Sequence, residues 1–257
     1  MQTSPAVPWS DNPMPWPWRE ISVIRETGST NADLAAAARE GAASGTVLVA
    51  NHQTAGRGRL DRGWTAPPGA SLAISALLRP PASVPAARWT WLPLLAGIAV
   101  TDALGEIAGV TAEVKWPNDV LIDGGKVCGI LAERVTAPSG DGVVIGMGIN
   151  TRLRSDELPV PTATSLLLAG ADVADPDLVA AVLTALGGWY RRWLDGEDLV
   201  EALTSRCATI GREVRVELPA SGAVTGLAVG VDDEGRLLVR TADGVRPFSA
   251  GDVVHLR

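Results

Sequence analysis

Apolar positions recur along most of the chain with two spacings, and each spacing predicts a different element. Alternation at every second position is clearest at 71–78, where the apolar residues share one face of a predicted strand. A helical stripe of apolar residues runs from about 85 to 108. The remaining patterns predict strands at 21–27, 46–52, 113–116, 120–123, 126–135 and 142–150, and helices at 28–40, 175–195 and 197–207.

Cap and turn residues sharpen this pattern at two places. Ser29 or Thr30 is expected to be the N-cap of the first helix, and Thr30 followed by Asp33 is a variant of the capping box. The Asp-Gly-Gly sequence at 123–125 suits a tight reversal between two strands. Residues 113–150 are therefore predicted to form an antiparallel meander.

The texture of the sequence changes after residue 211. Short alternating stretches separated by regular turns predict a small barrel, and they occupy the rest of the chain. We expect a boundary near residue 208. The expected organisation is a Pro/Trp-rich N-terminal tail or surface strap at 1–18, a main α+β unit at 19–208 and the barrel at 209–257.

Charge and composition argue against several classes of function. The net charge of −7 repels nucleic acid, so any anion site must be made by locally clustered Arg and Lys. No apolar run reaches the roughly 18 residues that span a bilayer, and the start resembles no signal peptide. Two His and two distant Cys, Cys128 and Cys207, argue against a zinc site and fit unbridged thiols. We expect a cytoplasmic protein.

The distribution of lysine points to chemistry at one place. Lys115 and Lys126 are the only lysines, and they lie 11 positions apart, whereas 20 of the 22 basic residues are Arg. An ammonium is a compact point charge that fits against a carboxylate or phosphate oxygen, whereas a guanidinium is planar. A single lysine would suggest only a surface ion pair, but two clustered lysines favour a reactive site.

A second candidate for chemistry is the loop at 53–69. Its glycines let the backbone approach a ligand, and Arg57, Arg59 and Arg62 supply guanidiniums suited to a carboxylate or phosphate. The loop matches neither a P-loop nor a dinucleotide fingerprint. Taken alone, such a loop is most often a solvated basic turn or an RNA contact.

The segment 115–126 brings charged and polar residues together if its two strands pair. One interpretation is a turn in which Asn118 and Asp119 bond their own backbone. The other is a cation pair beside a carboxylate, which suits phosphoryl or nucleotidyl chemistry with Mg²⁺. Gly129 marks a close backbone approach in the following strand.

Four segments in this order resemble the biotin protein ligase family. They are GSTN at 28–31, QTAGRGRLDRGW at 53–64, KWPNDVLIDGGKVCGILAE at 115–133 and GMGIN at 146–150. The resemblance extends over about residues 19–257. It is to the form of the family without an N-terminal DNA-binding domain. It implies an α+β fold, with a mixed sheet and helices on one side as in class II aminoacyl-tRNA synthetases, followed by a small SH3-like β-barrel.

The resemblance also implies roles for individual residues. The biotin site would comprise Ser29, Thr30, Asn31, Gln53, Gly56, Arg57, Gly58, Arg59, Lys126 and Gly129. The nucleotide site would comprise Arg59, Arg62, Trp64, Lys115, Asn118, Lys126 and Asn150. Catalysis would rest on Lys126, Arg59, Asp119 and Lys115, with Asp119 also a candidate Mg²⁺ ligand. Asp61 departs from the family pattern, since it places an anion between the cations of the loop.

The implied reaction joins biotin to ATP as biotinyl-5′-AMP and releases pyrophosphate. Biotin then passes to a lysine on a biotin carboxyl carrier domain of a biotin-dependent carboxylase. The expected substrates are ATP and biotin with Mg²⁺, and the expected assembly is a monomer or a weak homodimer. No membrane or nucleic-acid partner is expected.

Three alternatives remain open at the level of sequence. The nearest is a lipoate ligase, which uses the same adenylation chemistry on a different acid. A nucleic-acid-binding transcriptional regulator belongs to another class, and the acidic net charge speaks against it. A noncatalytic interaction module is disfavoured by the clustered lysines.

Overall fold

The computed structural model describes residues 15–218 and 222–256 of the chain. The part of the predicted N-terminal tail at 1–14, which includes Trp9, lies outside the described residues, as does the side chain of Asp61. The loop at 53–69, which carries Arg57, Arg59 and Arg62, is called the cationic loop below. The prediction that Asp61 alters this loop is not addressed by the structure.

Two sheets organise the described residues. The strands are β1 Glu20–Ile24, β2 Thr46–Ala50, β3 Gly56–Arg57, β4 Gly63–Trp64, β5 Ser71–Leu78, β6 Ala112–Lys115, β7 Asp119–Ile122, β8 Gly125–Val135, β9 Gly142–Asn150, β10 Glu213–Leu218, β11 Gly222–Val231, β12 Leu237–Thr241, β13 Gly244–Phe248 and β14 Asp252–His255. The larger sheet has the order β1-β2-β5-β9-β8-β7-β6 and the smaller one the order β13-β12-β11-β10-β14, while β3 and β4 form a separate short hairpin. The larger sheet is mixed because β1 and β2 are parallel and its other pairs are antiparallel.

Helices cover both faces of the larger sheet. They are α1 Thr30–Arg39, α2 Trp91–Ala108, α3 Asp175–Leu194 and α4 Val200–Thr204. One large core joins α2 and α3 to the apolar residues of β5, β8 and β9. A second core joins Leu34 and Ala38 of α1 to Leu77 and Val144, whose side chains point to the opposite face because strand residues alternate. The expectation of helices on one side is therefore wrong for α1.

Most sequence-predicted elements are present, with two corrections. The strands β6 to β9 form the antiparallel meander that the Asp-Gly-Gly turn predicted. The N-cap of α1 is Ser29, whose side chain accepts from the Ala32 N–H, so the capping box centred on Thr30 is wrong. Asp33 instead accepts a hydrogen bond from the Thr27 hydroxyl. The final predicted helix at 197–207 is shorter, at Val200–Thr204.

Helix α2 corrects the prediction that no apolar segment of the chain is long enough to span a bilayer. Together with the preceding 3₁₀ turn, the helical segment Ala86–Ala108 is long and apolar enough to cross a membrane by length and composition. However, 67% of its apolar stretch is buried inside the protein. The sequence count required an uninterrupted run, which Asp102 and Glu106 break. A core helix buried between a sheet and α3 has the same composition as a membrane span.

The described end of the N-terminal strap reaches the core. Trp16 is exposed and stacks on Tyr190 with ring centroids 5.7 Å apart. Trp18, which the sequence assigned to a surface strap, is only 4% exposed, and its Nε1–H donates to the Leu183 carbonyl at 2.8 Å. Gly187 of α3 makes room for this strap, since a Cβ there would lie 2.6 Å from the Trp16 carbonyl oxygen.

Two tryptophans of the larger unit dock the smaller sheet. Trp91 Nε1–H donates to the Asp233 carbonyl at 2.7 Å, and Trp116 Nε1–H donates to the Gly235 carbonyl at 3.0 Å. Both acceptors lie in the turn between β11 and β12. Because Trp116 follows Lys115 directly, the contact also fixes the end of β6 from which Lys115 projects.

Thr209 links Trp116 of the larger unit to His255 of β14. Thr209 Oγ1 accepts the Trp116 backbone N–H at 3.1 Å, so its own proton is available to His255 Nε2 at 3.0 Å. Burial, followed by the charges of Lys115 and Arg212, lowers the pKa of His255 from 6.5 to about 4. His255 is therefore a neutral acceptor in the folded protein at neutral pH.

This arrangement predicts a pH-dependent stability. The unfolded chain binds the His255 proton below pH 6.5, whereas the folded protein binds it only near pH 4, so the contribution is complete above pH 6.5 and is lost towards pH 4. We expect the thermal unfolding midpoint to fall by roughly 3 °C more in the wild type than in His255→Gln over this window. Calorimetry between pH 7 and 4 measures the difference, and parallel curves for the two proteins would contradict it.

Candidate active site

A cavity of about 410 Å³ lies on the α1 face of the larger sheet. The N-terminus of α1 forms one end, the β3–β4 hairpin covers it, and strands β8 and β9 form its floor. Residues 159–163 and Asp252 of the smaller sheet complete the rim. The cavity therefore collects residues from segments more than 200 positions apart.

The floor of the cavity is made of glycine. Cβ atoms added at Gly129 and Gly148 would lie 2.8 Å and 2.7 Å from ring atoms of Trp64, so the indole rests directly on the backbone of β8 and β9. The Lys126 ammonium lies 5.6 Å from the centroid of the same ring. Among the described residues, the buried Trp64 Nε1–H has no hydrogen-bond partner. The cavity thus has a planar apolar wall with an ammonium beside it.

Polar groups at the start of α1 form the second end. The Thr30 backbone N–H, which a helix terminus leaves free, donates to Gln53 Oε1 at 2.8 Å. Thr30 and Ser29 are both buried and line the cavity. Serine, threonine and amide groups of this kind can recognise a small polar ring.

Asn31 is hydrogen-bonded to three neighbours and lies against a fourth. Its Nδ2 donates to the Leu131 carbonyl at 3.1 Å and to Glu133 Oε2 at 2.9 Å, while its Oδ1 lies 2.7 Å from Ser75 Oγ. A Cβ at Gly146 would lie 2.3 Å from Asn31 Oδ1. The glycine therefore makes the space in which the amide lies, and the amide protons of Asn31 are already used by the protein.

The arginines of the cationic loop each have an anchor. Arg57 pairs with Glu133 at 3.0 Å, and Arg59 Nη1 donates to Asn118 Oδ1 at 2.9 Å and to the Gly251 carbonyl at 3.2 Å. Arg62 pairs with Asp252, which also lies 3.9 Å from Arg59. The loop is thus tied both to the larger sheet and to the smaller one, and its anchors are groups that an anionic ligand could replace.

The two lysines differ in their pairing. Lys126 Nζ lies 2.7 Å from Asp119 Oδ1. In the part of the chain that the structure describes, Lys115 lines the cavity without an ion pair. The neighbouring Cys128 is fully buried, and burial raises the pKa of its thiol, so it is a neutral packing residue.

Most of the sequence-predicted site residues line this cavity. Ser29, Thr30, Asn31, Gln53, Arg57, Gly58, Arg59, Arg62, Trp64, Lys115, Asn118, Asp119, Lys126, Gly129 and Asn150 all do so. Gly56 does not. A Cβ there would lie 2.4 Å from the Trp64 carbonyl oxygen, so its small size lets β3 pair with β4 behind the cavity wall. Asn150 is buried and donates to the Thr164 carbonyl at 2.9 Å.

Sequence reasoning missed the groups that support the site from a distance. Glu133 ends the quoted segment 115–133 but was given no role, and Ser75 lies in no motif; only the alternation of β8 and β5 shows that they face α1. Asp252 comes from β14, 190 positions after Arg62. Residues 159–163 sit in a segment without periodicity.

The donor set fits a metal ion that a nucleotide brings with it. No group of three or more His, Cys, Asp or Glu residues able to hold a metal occurs among the described residues. Asp119 is a single carboxylate beside Lys126. Mg²⁺ commonly uses one or two protein carboxylates together with substrate phosphates, so this set suits a shared ion and not a protein-only cage.

Comparison with known proteins agrees with this architecture. Residues 23–150 match the model of the biotin/lipoate A/B protein ligase family, and residues 209–256 match that of the biotin protein ligase C-terminal domain. The fold and the site therefore define a protein ligase of the biotin and lipoate class.

Individual relatives narrow the class. The biotin--[acetyl-CoA-carboxylase] ligase of Mycobacterium tuberculosis is 45% identical over 93% of this chain and 90% of its own. The biotin protein ligase of Aquifex aeolicus, solved with biotin and ATP, superposes with a TM-score of 0.79 at 30% identity, covering 93% of this chain and all of that one. The Leishmania major enzyme with biotinyl-5-AMP gives a TM-score of 0.60 at 25% identity over 90% of this chain and 99% of that one. The chain belongs to the biotin protein ligase family and is an enzyme of the ligase type.

Proposed function

We propose that the protein activates biotin with ATP as biotinyl-5′-AMP and then transfers biotin to a lysine of a biotin carboxyl carrier domain. The observation that carries the proposal is that Arg59 and Lys126, from two separate segments, line one cavity. The relative from Mycobacterium tuberculosis is a biotin--[acetyl-CoA-carboxylase] ligase by name, and the Aquifex aeolicus enzyme was solved with biotin and ATP. The expected partner is the carrier domain of a biotin-dependent carboxylase.

The first step must bring two anions together. A carboxylate oxygen of biotin attacks the α-phosphorus of ATP, and pyrophosphate leaves. Arg59, Lys126 and Lys115 neutralise the repulsion and hold the groups in line, which is most of what phosphoryl transfer requires. Mg²⁺ held by Asp119 and the ATP phosphates would add further positive charge.

The second step uses the same cations. The amine of the carrier lysine attacks the carbonyl carbon of the mixed anhydride, an amide bond forms and AMP leaves. Lys126 and Arg59 stabilise the oxyanion that develops, while Asp119, 2.7 Å from Lys126, orients or accepts the amine proton. Arg59 and Lys126 thus have the main catalytic roles in both steps, and Asp119 and Lys115 assist them.

The ring and the nucleotide would occupy opposite ends of the cavity. Ser29, Thr30, Asn31 and Gln53 meet the polar ring of biotin, and the loop carrying Arg57, Gly58 and Arg59 wraps its carboxylate. Arg62, Trp64, Asn118 and Asn150 complete the nucleotide end. Gly129 offers its backbone at the junction, where an added Cβ would lie 2.8 Å from the Trp64 ring and 3.1 Å from the Lys126 ammonium.

The proposal is tested by the mass of a carrier domain incubated with the protein, biotin and ATP. We expect one biotinyl addition per carrier. An unmodified carrier in the presence of pyrophosphate release would mean a different acceptor, and the absence of biotin-dependent pyrophosphate release would refute the first step. Release with lipoic acid in place of biotin identifies the rival lipoate ligase.

The remaining expectations about context are also proposals. A cytoplasmic location is supported by the buried, unbridged thiols of Cys128 and Cys207. The net charge of −7 argues against a nucleic-acid partner. We propose a boundary near residue 208 between the catalytic unit and the smaller sheet, and a monomer or weak homodimer, which sedimentation can measure.

The cationic loop should close over the bound adenylate. A mixed anhydride hydrolyses if water reaches it, and Arg57, Arg59 and Arg62 would exchange their protein anchors for ligand anions. We expect trypsin to cleave at these arginines at least about tenfold more slowly with biotin plus ATP than without. Biotin alone and ATP alone are the controls, and equal cleavage rates in all four samples would count against closure.

A further inference from the structure

Glu133 lies just outside the cavity but on the same side of the sheet as its floor. It follows Gly129 and Leu131 at two-residue intervals on β8, so the three share one face. Its carboxylate accepts from Asn31 Nδ2 at 2.9 Å and from Arg57 Nη2 at 3.0 Å and 3.1 Å. Neither the proposed reaction nor the implied site gives this residue a task.

The Glu133 carboxylate and the Leu131 carbonyl together determine which way the Asn31 amide faces. A carboxylate and a carbonyl oxygen can only accept, so Glu133 and the Leu131 carbonyl together require both N–H groups of Asn31. Asn31 Oδ1 must then face Ser75. The reversed amide would turn Oδ1 towards the Glu133 and Leu131 oxygens, so a donor at position 133 would remove one of the two conflicts that hold Asn31 in this orientation.

The orientation of the Asn31 amide determines how the hydroxyl groups of Ser75 and Thr30 are oriented. Ser75 Oγ lies 2.7 Å from Asn31 Oδ1 and 2.8 Å from Thr30 Oγ1, and a serine has one proton. Because Oδ1 can only accept, the Ser75 proton belongs there. The Thr30 proton then goes to Ser75 or to Gln53 Oε1 at 3.1 Å, and both lone pairs of Thr30 Oγ1 stay available.

We infer that Glu133 is a positioning residue. It orients the polar groups at the start of α1, where the ring of biotin is proposed to bind, so that they accept hydrogen bonds from a ligand N–H. The inference rests on the proposed function, since it concerns how biotin is chosen. The ring of biotin is a cyclic urea with N–H donors, whereas the dithiolane ring of lipoate has none. A pocket fixed as an acceptor favours the first and gains nothing from the second.

The test is Glu133→Gln, which keeps the size of the side chain but can donate as well as accept. We expect the KM for biotin to rise about tenfold, with kcat and the KM for ATP unchanged within about twofold. Binding of lipoic acid, measured as competition, should stay the same. Glu113→Gln on β6, an exposed strand glutamate away from the cavity, is the matched control.

A second variant separates polarity from mere structural support. Glu133→Asp keeps an acceptor-only group and should recover part of the biotin affinity. If Glu133 served only to tether Arg57, Glu133→Gln would weaken biotin and lipoic acid equally, and that result would overturn the inference. An unchanged KM for biotin would do the same.

Failure of the inference can be told apart from failure of the proposed function. A wild type that releases pyrophosphate with biotin, beside an equally active Glu133→Gln, refutes only the role of Glu133. A wild type without biotin-dependent release refutes the reaction. Calorimetric titration with biotin in the absence of ATP then still reports whether Glu133→Gln weakens ring binding, and loss of binding selectivity there supports the inference.

Discussion

Replacing Lys126 by Arg is expected to lower the rate of biotin-dependent pyrophosphate release by about 10²- to 10³-fold, the effect typical of losing one preorganised charge at a reacting centre. The charge is kept, so the loss would come from shape. Lys126 is pressed against Gly129, where an added Cβ would lie 3.1 Å from both Cε and Nζ. A longer planar guanidinium has no such space and would bind Asp119 in two places, which holds it away from the ligand.

The measurement needs a control for the effect of exchanging lysine and arginine at a position outside the site. Arg240→Lys makes the converse change on an exposed position of β12, away from the cavity, and should leave the rate unchanged. Lys126→Arg should also unfold at the wild-type temperature, because Lys126 is partly exposed at the cavity wall. Wild-type turnover by Lys126→Arg would refute the need for an ammonium.

Sequence periodicity was sufficient for elements whose burial follows one simple pattern. The meander β6 to β9 was predicted because the Asp-Gly-Gly turn marks a tight reversal between β7 and β8 and because strand-like apolar segments follow one another closely. The face on which α1 packs was not predictable, since β5 is buried on both sides and its sequence alternation does not show which side α1 covers. The hairpin of β3 and β4 was missed because strands of two residues carry no period.

The site could be predicted as far as its residues lie in local motifs. Lys126, Arg59 and Asn118 stand in short, distinctive segments, and they line one cavity. Asp252 pairs with Arg62 and lies near Arg59, and Glu133 pairs with Arg57, yet these pairings follow only from the tertiary fold. Sequence also could not show that Gly56 acts behind the wall, because a glycine near a ligand and a glycine in a tight hairpin look alike.

The role of Gly146 is visible only in three dimensions, and its replacement gives the second large expected effect. In Gly146→Ala the new Cβ would lie 2.3 Å from Asn31 Oδ1 and 2.9 Å from its Cγ. Asn31 is buried and bonded at both ends of its amide, so it cannot turn aside without breaking contacts to Glu133 and Ser75. We expect the free energy of unfolding to fall by about 1–3 kcal/mol, as for other overpacked sites.

The functional effect of Gly146→Ala should exceed that of a general loss of stability. Displacing Asn31 removes the group that orients Ser75 and Thr30, so we expect the KM for biotin to rise more than about tenfold, as for an unsatisfied buried polar group, while the KM for ATP changes little. Gly230→Ala on β11 is the matched control, since it is also a strand glycine but has nothing within 4 Å of the added Cβ. Steady-state kinetics at 20 °C, where both variants are folded by calorimetry, gives the comparison. Equal KM values for biotin in the two variants would mean that the amide of Asn31 has no part in holding the acid, because the steric conflict exists in only one of them.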